Sequence, residues 1–237
     1  MATFSTRTVA NQLQIIDPAT YETLLPYSSV VFYDDFLGDS IDALWTSIDV
    51  SSAGDSTPLL AADVGNGVCR LPLDVTSEAQ ETGLTWGDQR PFVLNQGLVF
   101  ECRLALQTLP TLLSEAVWGL AGDKNAVADT VAEGIWFKAD GDGVIVAETD
   151  DATTNNDDKS TGVTVTAGLY KIYRIDCTVI TDIKFYINGA RVATATTFDA
   201  SAVPTLALQP YVHSAKASGA GLGVVDVDYI RIWQNRS

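Results

Sequence analysis

The sequence predicts an all-β chain, a two-sheet antiparallel jelly-roll sandwich with a short N-terminal arm, and three observations carry that prediction. From about residue 30 onward apolar residues recur at every second position. Turn signals separate these runs at short intervals, and no long helical period appears among them.

The alternation is clearest in LVFECRLAL, where Leu98, Phe100, Cys102, Leu104 and Leu106 share one face and Glu101 and Arg103 the other. In YRIDCTV, Tyr173, Ile175, Cys177 and Val179 alternate with Arg174, Asp176 and Thr178. Ile183, Phe185 and Ile187 then lead into Asn188-Gly189. A type I′ hairpin turn needs positive φ at both central residues, and Asn-Gly supplies it. Strands are expected at about 30–33, 57–64, 67–72, 80–86, 98–106, 115–120, 134–138, 144–148, 162–165, 170–179, 182–187, 190–195, 206–213 and 224–233. DDATTNNDDKST, residues 150–161, reads as a polar surface loop. These elements form one domain over residues 29–237.

Residues 1–28 differ and form the predicted arm. Val9, Leu13 and Ile16 stand at helical spacing, and Asp17-Pro18 has the form of an N-cap with proline at the first helical position, opening a short turn that ends at Pro26. The apolar residues Val9, Leu13, Ile15, Ile16, Leu24 and Leu25 are too few to form a core alone. The arm therefore packs on its own sandwich or reaches to a neighbour.

Thirty acidic residues face fourteen basic ones, a formal net charge of -16. Such a surface repels phosphate backbones and anionic lipid headgroups, so neither nucleic acid nor membrane is an expected partner. No run reaches the roughly 18 apolar residues of a membrane span. The N-terminus lacks a basic start followed by an apolar core, so synthesis and assembly in a cytoplasm are expected. Cys69, Cys102 and Cys177 each lie within a β-like run and lack metal-ligand spacing, and so read as reduced core thiols. The single histidine, His213, reads as a strand-end side chain.

FYDDFLGDSIDALWTSID (32–49), GLVFECRLAL (97–106), AVWGLA (116–121) and VDVDYIRIWQ (225–234) together resemble the concanavalin A-like lectin/glucanase jelly roll over about residues 30–234. A narrower set, AVWGLA, EGIWFKADGDG, TGVTVTAGLYKIYRID, IKFYINGARVAT and VDVDYIRIW, resembles jelly-roll domains of virion structural proteins in tailed bacteriophages. That resemblance implies a non-enzymatic capsid decoration (cement) protein on the outer capsid surface. Its partners would be the phage major capsid protein and further copies of itself, a trimer being able to bridge three capsomers. The arm residues named above would then make the capsid or inter-subunit contact.

The resemblance also frames two rival functions. Glucanases of this fold carry Glu-x-Asp-x-Glu on one strand, so that period two places all three carboxylates on one face. Here the corresponding strand reads EGIWFK, and Glu133 is followed on its face by Ile135 and Phe137, so no catalytic residue is assigned. A lectin-like module binding a host-surface glycan would use aromatic side chains, and Trp136 and Tyr211 are the candidates. Asp140 and Asp142 could ligate calcium, but Asp140-Gly141-Asp142-Gly143 joins two apolar strands and reads first as a hairpin turn. No other metal or cofactor site is expected.

Overall fold

The computed structural model describes residues 5–9, 12–16, 18–19, 23–24, 30–111, 113–127, 130–141 and 143–236. Two eight-stranded sheets, antiparallel in every pairing, face each other across the core. The first runs β17 (Ala190–Val192), β16 (Lys184–Ile187), β15 (Lys171–Asp176), β10 (Val99–Thr108), β19 (Gly223–Gln234), β7 (Cys69–Leu73) and β6 (Leu59–Leu60), with β4 (Val30–Asp34) also paired to β19. The second runs β14 (Asn155–Thr164), β13 (Val144–Asp151), β12 (Glu133–Asp140), β11 (Ser114–Ala121), β18 (Ala207–Lys216), β8 (Gln80–Thr85) and β5 (Thr46–Val50), with β9 (Phe92–Val93) also paired to β18.

The predicted alternation is what fills the core. Phe100, Cys102 and Leu104 point inward from the first sheet, opposite Trp118, Ile135 and Phe137 of the second. Aromatic rings lock the layers together: Tyr173 lies 4.9 Å from Trp118 and 5.2 Å from Phe137, and Phe185 lies 5.2 Å from Phe137. The edge-to-face angles suit the ring quadrupoles. All three cysteines are buried and unpaired within this layer, as expected. Asn188 and Gly189 have φ of 48° and 76°, with Ile187 opposite Ala190, so the two-residue hairpin forms as predicted.

The FYDDF…LW motif is a structural device. Asp34 Oδ1 accepts the Phe36 N–H at 2.8 Å and its Oδ2 accepts the Trp45 indole N–H at 2.6 Å. That bond seats Trp45 against Phe32 and Phe36, closing one end of the core.

Several expectations need correction. Residues 155–161, expected in a loop, extend the strand expected at 162–165 into edge strand β14 (Asn155–Thr164). Asp151 Oδ1 accepts the N–H of Thr153 and of Thr154 to turn the chain back along β13. As an edge strand it needs little apolar patterning, so periodicity missed residues 155–161. The expected strand at 57–64 is reduced to Leu59–Leu60, and β5 and β9 were not expected at all. His213 lies within β18, fully buried, not at its end.

The N-terminal residues at helical spacing are in strands. β1 (Ser5–Val9), β2 (Gln12–Ile16) and β3 (Thr23–Leu24) form a separate three-stranded antiparallel sheet. Its register pairs Val9 with Gln12, Thr8 with Leu13, Ile15 with Leu24 and Ile16 with Thr23. Leu25, Pro26 and Asp17, the last an expected N-cap, lie outside the described residues. Thr23 is buried, and its hydroxyl donates to Glu101 Oε2 at 3.1 Å on the outer face of the first sheet. At that point the extension packs on its own domain.

Candidate functional site

The outer face of the second sheet, turned away from the core, holds the residues expected to bind a saccharide. Trp136 on β12 and Tyr211 on β18 come together there, ring centroids 6.1 Å apart, with Ile48, Val117, Ala121 and Val131 around them. They do not form a platform. Trp136 is 2% exposed and Tyr211 is fully buried. The two candidate glycan contacts instead form a second, smaller hydrophobic cluster.

Two local features enclose it. Glycines supply the floor: a Cβ at Gly134 would stand 1.7 Å from the Trp136 ring, and one at Gly119 would stand 2.3 Å from the Ile135 carbonyl oxygen. Gly134 must lack a side chain for the indole to lie over it, and Gly119 for β11 to pack against the β12 backbone. The β11–β12 connection supplies the cover. Tyr211 donates its hydroxyl to the Asn125 carbonyl at 3.4 Å, Lys124 reaches Glu81 at 3.0 Å, and Val131 joins the cluster. The connection leaves a pocket of about 580 Å³ beside it, lined by Leu113, Glu115, Val127 and Asp140.

Two carboxylates of this face, Glu148 and Glu81, are engaged in internal pairs. Glu148 accepts the Trp136 indole N–H at 2.8 Å and meets the Lys138 ammonium at 2.7 Å. Lys138 also meets Asp158 at 2.8 Å, bringing β14 into the cluster. Burial pushes the Glu148 carboxyl up to about 7, with Lys138 pulling the other way. Glu81 is drawn down to about 2, chiefly by contact with His213, despite partial burial. The His213 ring stacks 5.4 Å from Tyr211, and its Nε2 stands 3.4 Å from Glu81 Oε2.

Glu133, the one residue at a glucanase-like carboxylate position, sits at the start of β12 and contacts Arg90 at 3.4 Å. Ile135 and Phe137, which follow it, are in the core. The face read from the sequence as the carboxylate face is thus the core face; the outer face of β12 carries Gly134, Trp136 and Lys138, and so holds no carboxyl pair for a retaining hydrolase. Asp140 is exposed at the end of β12, and Gly141 and Gly143, with φ of 57° and 74°, make the expected turn. Asp142 lies outside the described residues. Among the described residues no group of three or more His, Cys, Asp or Glu is placed to hold a metal ion.

A second polar cluster, which sequence reasoning missed, lies on the outer face of the first sheet. Buried Glu101 is surrounded by Arg231, Arg174, Tyr229 and Thr23, and desolvation raises its carboxyl against the pull of the two guanidinium groups. Arg103 pairs with Asp228 beside it. The alternation of Glu101 and Arg103 against the apolar face was visible in the sequence. Their partners, more than 70 residues away, were not.

No family model matches the chain, and no curated protein matches it in sequence. Solved structures match it over nearly its whole length. A protein of unknown function from Shewanella oneidensis MR-1 superposes with a TM-score of 0.61 at 11% identity, covering 92% of this chain and 93% of that one. The carbohydrate recognition domain of Emp47p gives 0.57 at 10% identity, covering 89% and 97%. A glycoside hydrolase family protein from Mycobacterium thermorestibile gives 0.56 at 16% identity, covering 85% and 99%. At these identities the likeness shows the fold, a concanavalin A-like jelly roll that serves both a carbohydrate-recognition domain and a hydrolase.

Proposed function

We propose that this chain is a non-enzymatic structural protein of a bacteriophage virion, a decoration protein that binds and stabilises the outer capsid lattice. One observation carries the non-enzymatic part. On the outer face of the second sheet Glu148 is ion-paired to buried Lys138, and Glu81 to Lys124 of the β11–β12 connection. Neither carboxylate is placed to reach a glycosidic bond. The structural part rests on the resemblance to phage virion domains, the acidic surface and the N-terminal sheet. In this reading the partners are the major capsid protein and further copies of the chain, without nucleic acid, membrane or cofactor, and the protein is assembled in the host cytoplasm. A protein that binds only the assembled lattice stabilises that state by mass action.

The test is co-sedimentation of the full chain with capsids assembled from the major capsid protein encoded nearest its gene. Saturable loading and a raised capsid melting temperature are expected. A chain that stays in the supernatant at every concentration would sink the proposal. A second reading, saccharide binding without hydrolysis, is favoured by the aromatic and polar pocket on the first sheet described next.

A further inference from the structure

The outer face of the first sheet carries a pocket of about 680 Å³, within the roughly 300–1,000 Å³ typical of small-molecule sites. We infer that it is a binding site for a neutral saccharide, on the sheet opposite the one where the resembled family binds sugars. The inference rests on the second reading above and is independent of any capsid role.

The pocket is built by irregularities that a merely solvated sheet face would not need. The β10–β19 register shifts so that Arg103 opposes Tyr229 and Leu104 opposes Val227, leaving Asp228 unpaired between them. This bulge turns two consecutive residues, Asp228 and Tyr229, to the same outer face, and re-aiming side chains is what bulges do. At the rim, Gly67 adopts φ of 68°, and a Cβ there would stand 2.5 Å from the carbonyl oxygens of Asp35 and Phe36. Backbone thus packs directly on backbone and fixes the loop that carries Asp35.

The chemistry matches a pyranose ring. Tyr33, half exposed, offers aromatic surface to the C–H face of a sugar, while the Tyr170 ring is covered on one face by Arg103 and Tyr229 forms the back wall. The groups that would meet hydroxyls are already held. Arg103 is ion-paired to Asp228 and its guanidinium lies 4.5 Å over the Tyr170 ring. Tyr33 donates to Asp35 Oδ2 at 3.1 Å. Asn188 accepts the Ile172 N–H through its side-chain oxygen at 2.8 Å, which leaves its amide NH2 to donate into the pocket. Planar donors beside fixed carboxylate acceptors suit vicinal diols. The lining charges cancel, Arg103 and Lys171 against Asp35 and Asp228, so the site favours a neutral ligand over an anionic one.

The experiment is the full chain on an array of neutral and acidic oligosaccharides, followed by calorimetry with the best neutral glycan. Tyr33→Ala and Asn188→Asp are the variants. The first removes an exposed ring. The second keeps the Ile172 bond and tolerates positive φ but loses the amide donors. Each is expected to weaken binding about tenfold or more at unchanged melting temperature. Retention of no neutral glycan, retention of acidic glycans alone, or affinity unmoved in both variants would each overturn the inference. Capsid co-sedimentation is read separately, so the two proposals can fail independently.

Discussion

Lys138 is a lysine withdrawn from water, 3% exposed, between Glu148 and the exposed carboxylate of Asp158. One ammonium serving two acids leaves Glu148 short of compensation for its own burial, which is why its carboxyl rises to about 7. The sign of the stability effect follows. Below its ordinary value of 4.5, Glu148 is neutral in both folded and unfolded chains and contributes nothing. As pH rises from there toward 7, the unfolded chain releases a proton that the folded chain retains, so this group's contribution to stability falls through that window. Replacing Asp158 with Asn gives Lys138 wholly to Glu148. The expected outcome is a Glu148 carboxyl titration, followed by carbon-detected NMR, that moves down toward the ordinary value. A midpoint that stays or rises would refute the shared-ammonium account. The sequence exposed little of this cluster. EGIWFK showed that a carboxylate repeat was missing, but not that Gly134 is the seat of Trp136, nor that Trp136 is hydrogen-bonded and enclosed. Both depend on a connection folding back over its own sheet, which has no periodic signature.

At the scale of elements, legibility follows how much of a strand is buried. Strands with one face in the core, such as β10, β15 and β19, have one position in two apolar and were predicted to within a few residues. The Asn188-Gly189 turn was equally legible, because its backbone excludes most residues. Gly189→Ala should cost about 1–2 kcal/mol, the penalty for a Cβ in the left-handed region. Denaturant unfolding checks it, and an unchanged midpoint would mean that the turn is not held in the type I′ form. Of β14 only the apolar end, within the expected strand 162–165, was legible, because an edge strand with its outer face in water can be almost entirely polar. The N-terminal strands misled for the opposite reason. Val9, Leu13 and Ile16 fit a helical period by spacing alone, while the pairing of β1 with β2 and of β2 with β3 decides the outcome.

For the whole molecule, the sandwich keeps its reactive chemistry inside. Desolvation raises the Cys69 thiol to about 12 and pushes Cys102 and Cys177 well above their ordinary value, so none presents a thiolate. DTNB should therefore label none of the three until denaturant opens the core, and then all three together. Rapid labelling of one thiol in buffer would mean that part of the sandwich opens independently. The fold was legible at this scale because alternation, turn residues and the absence of a long helical period agree with one another. The sites were not, because both outer faces are assembled from residues far apart in the chain. One edge has a consequence for assembly. β14 ends the second sheet with Asn155, Asn156, Asp157, Asp158 and Lys159 along a margin of otherwise available backbone groups, while the first sheet ends in the very short β6 and β17. Such margins are poor templates for strand addition by another molecule. Copies crowded side by side at high local concentration would not join strand to strand through these three margins, leaving side-chain surfaces there to decide what each copy touches.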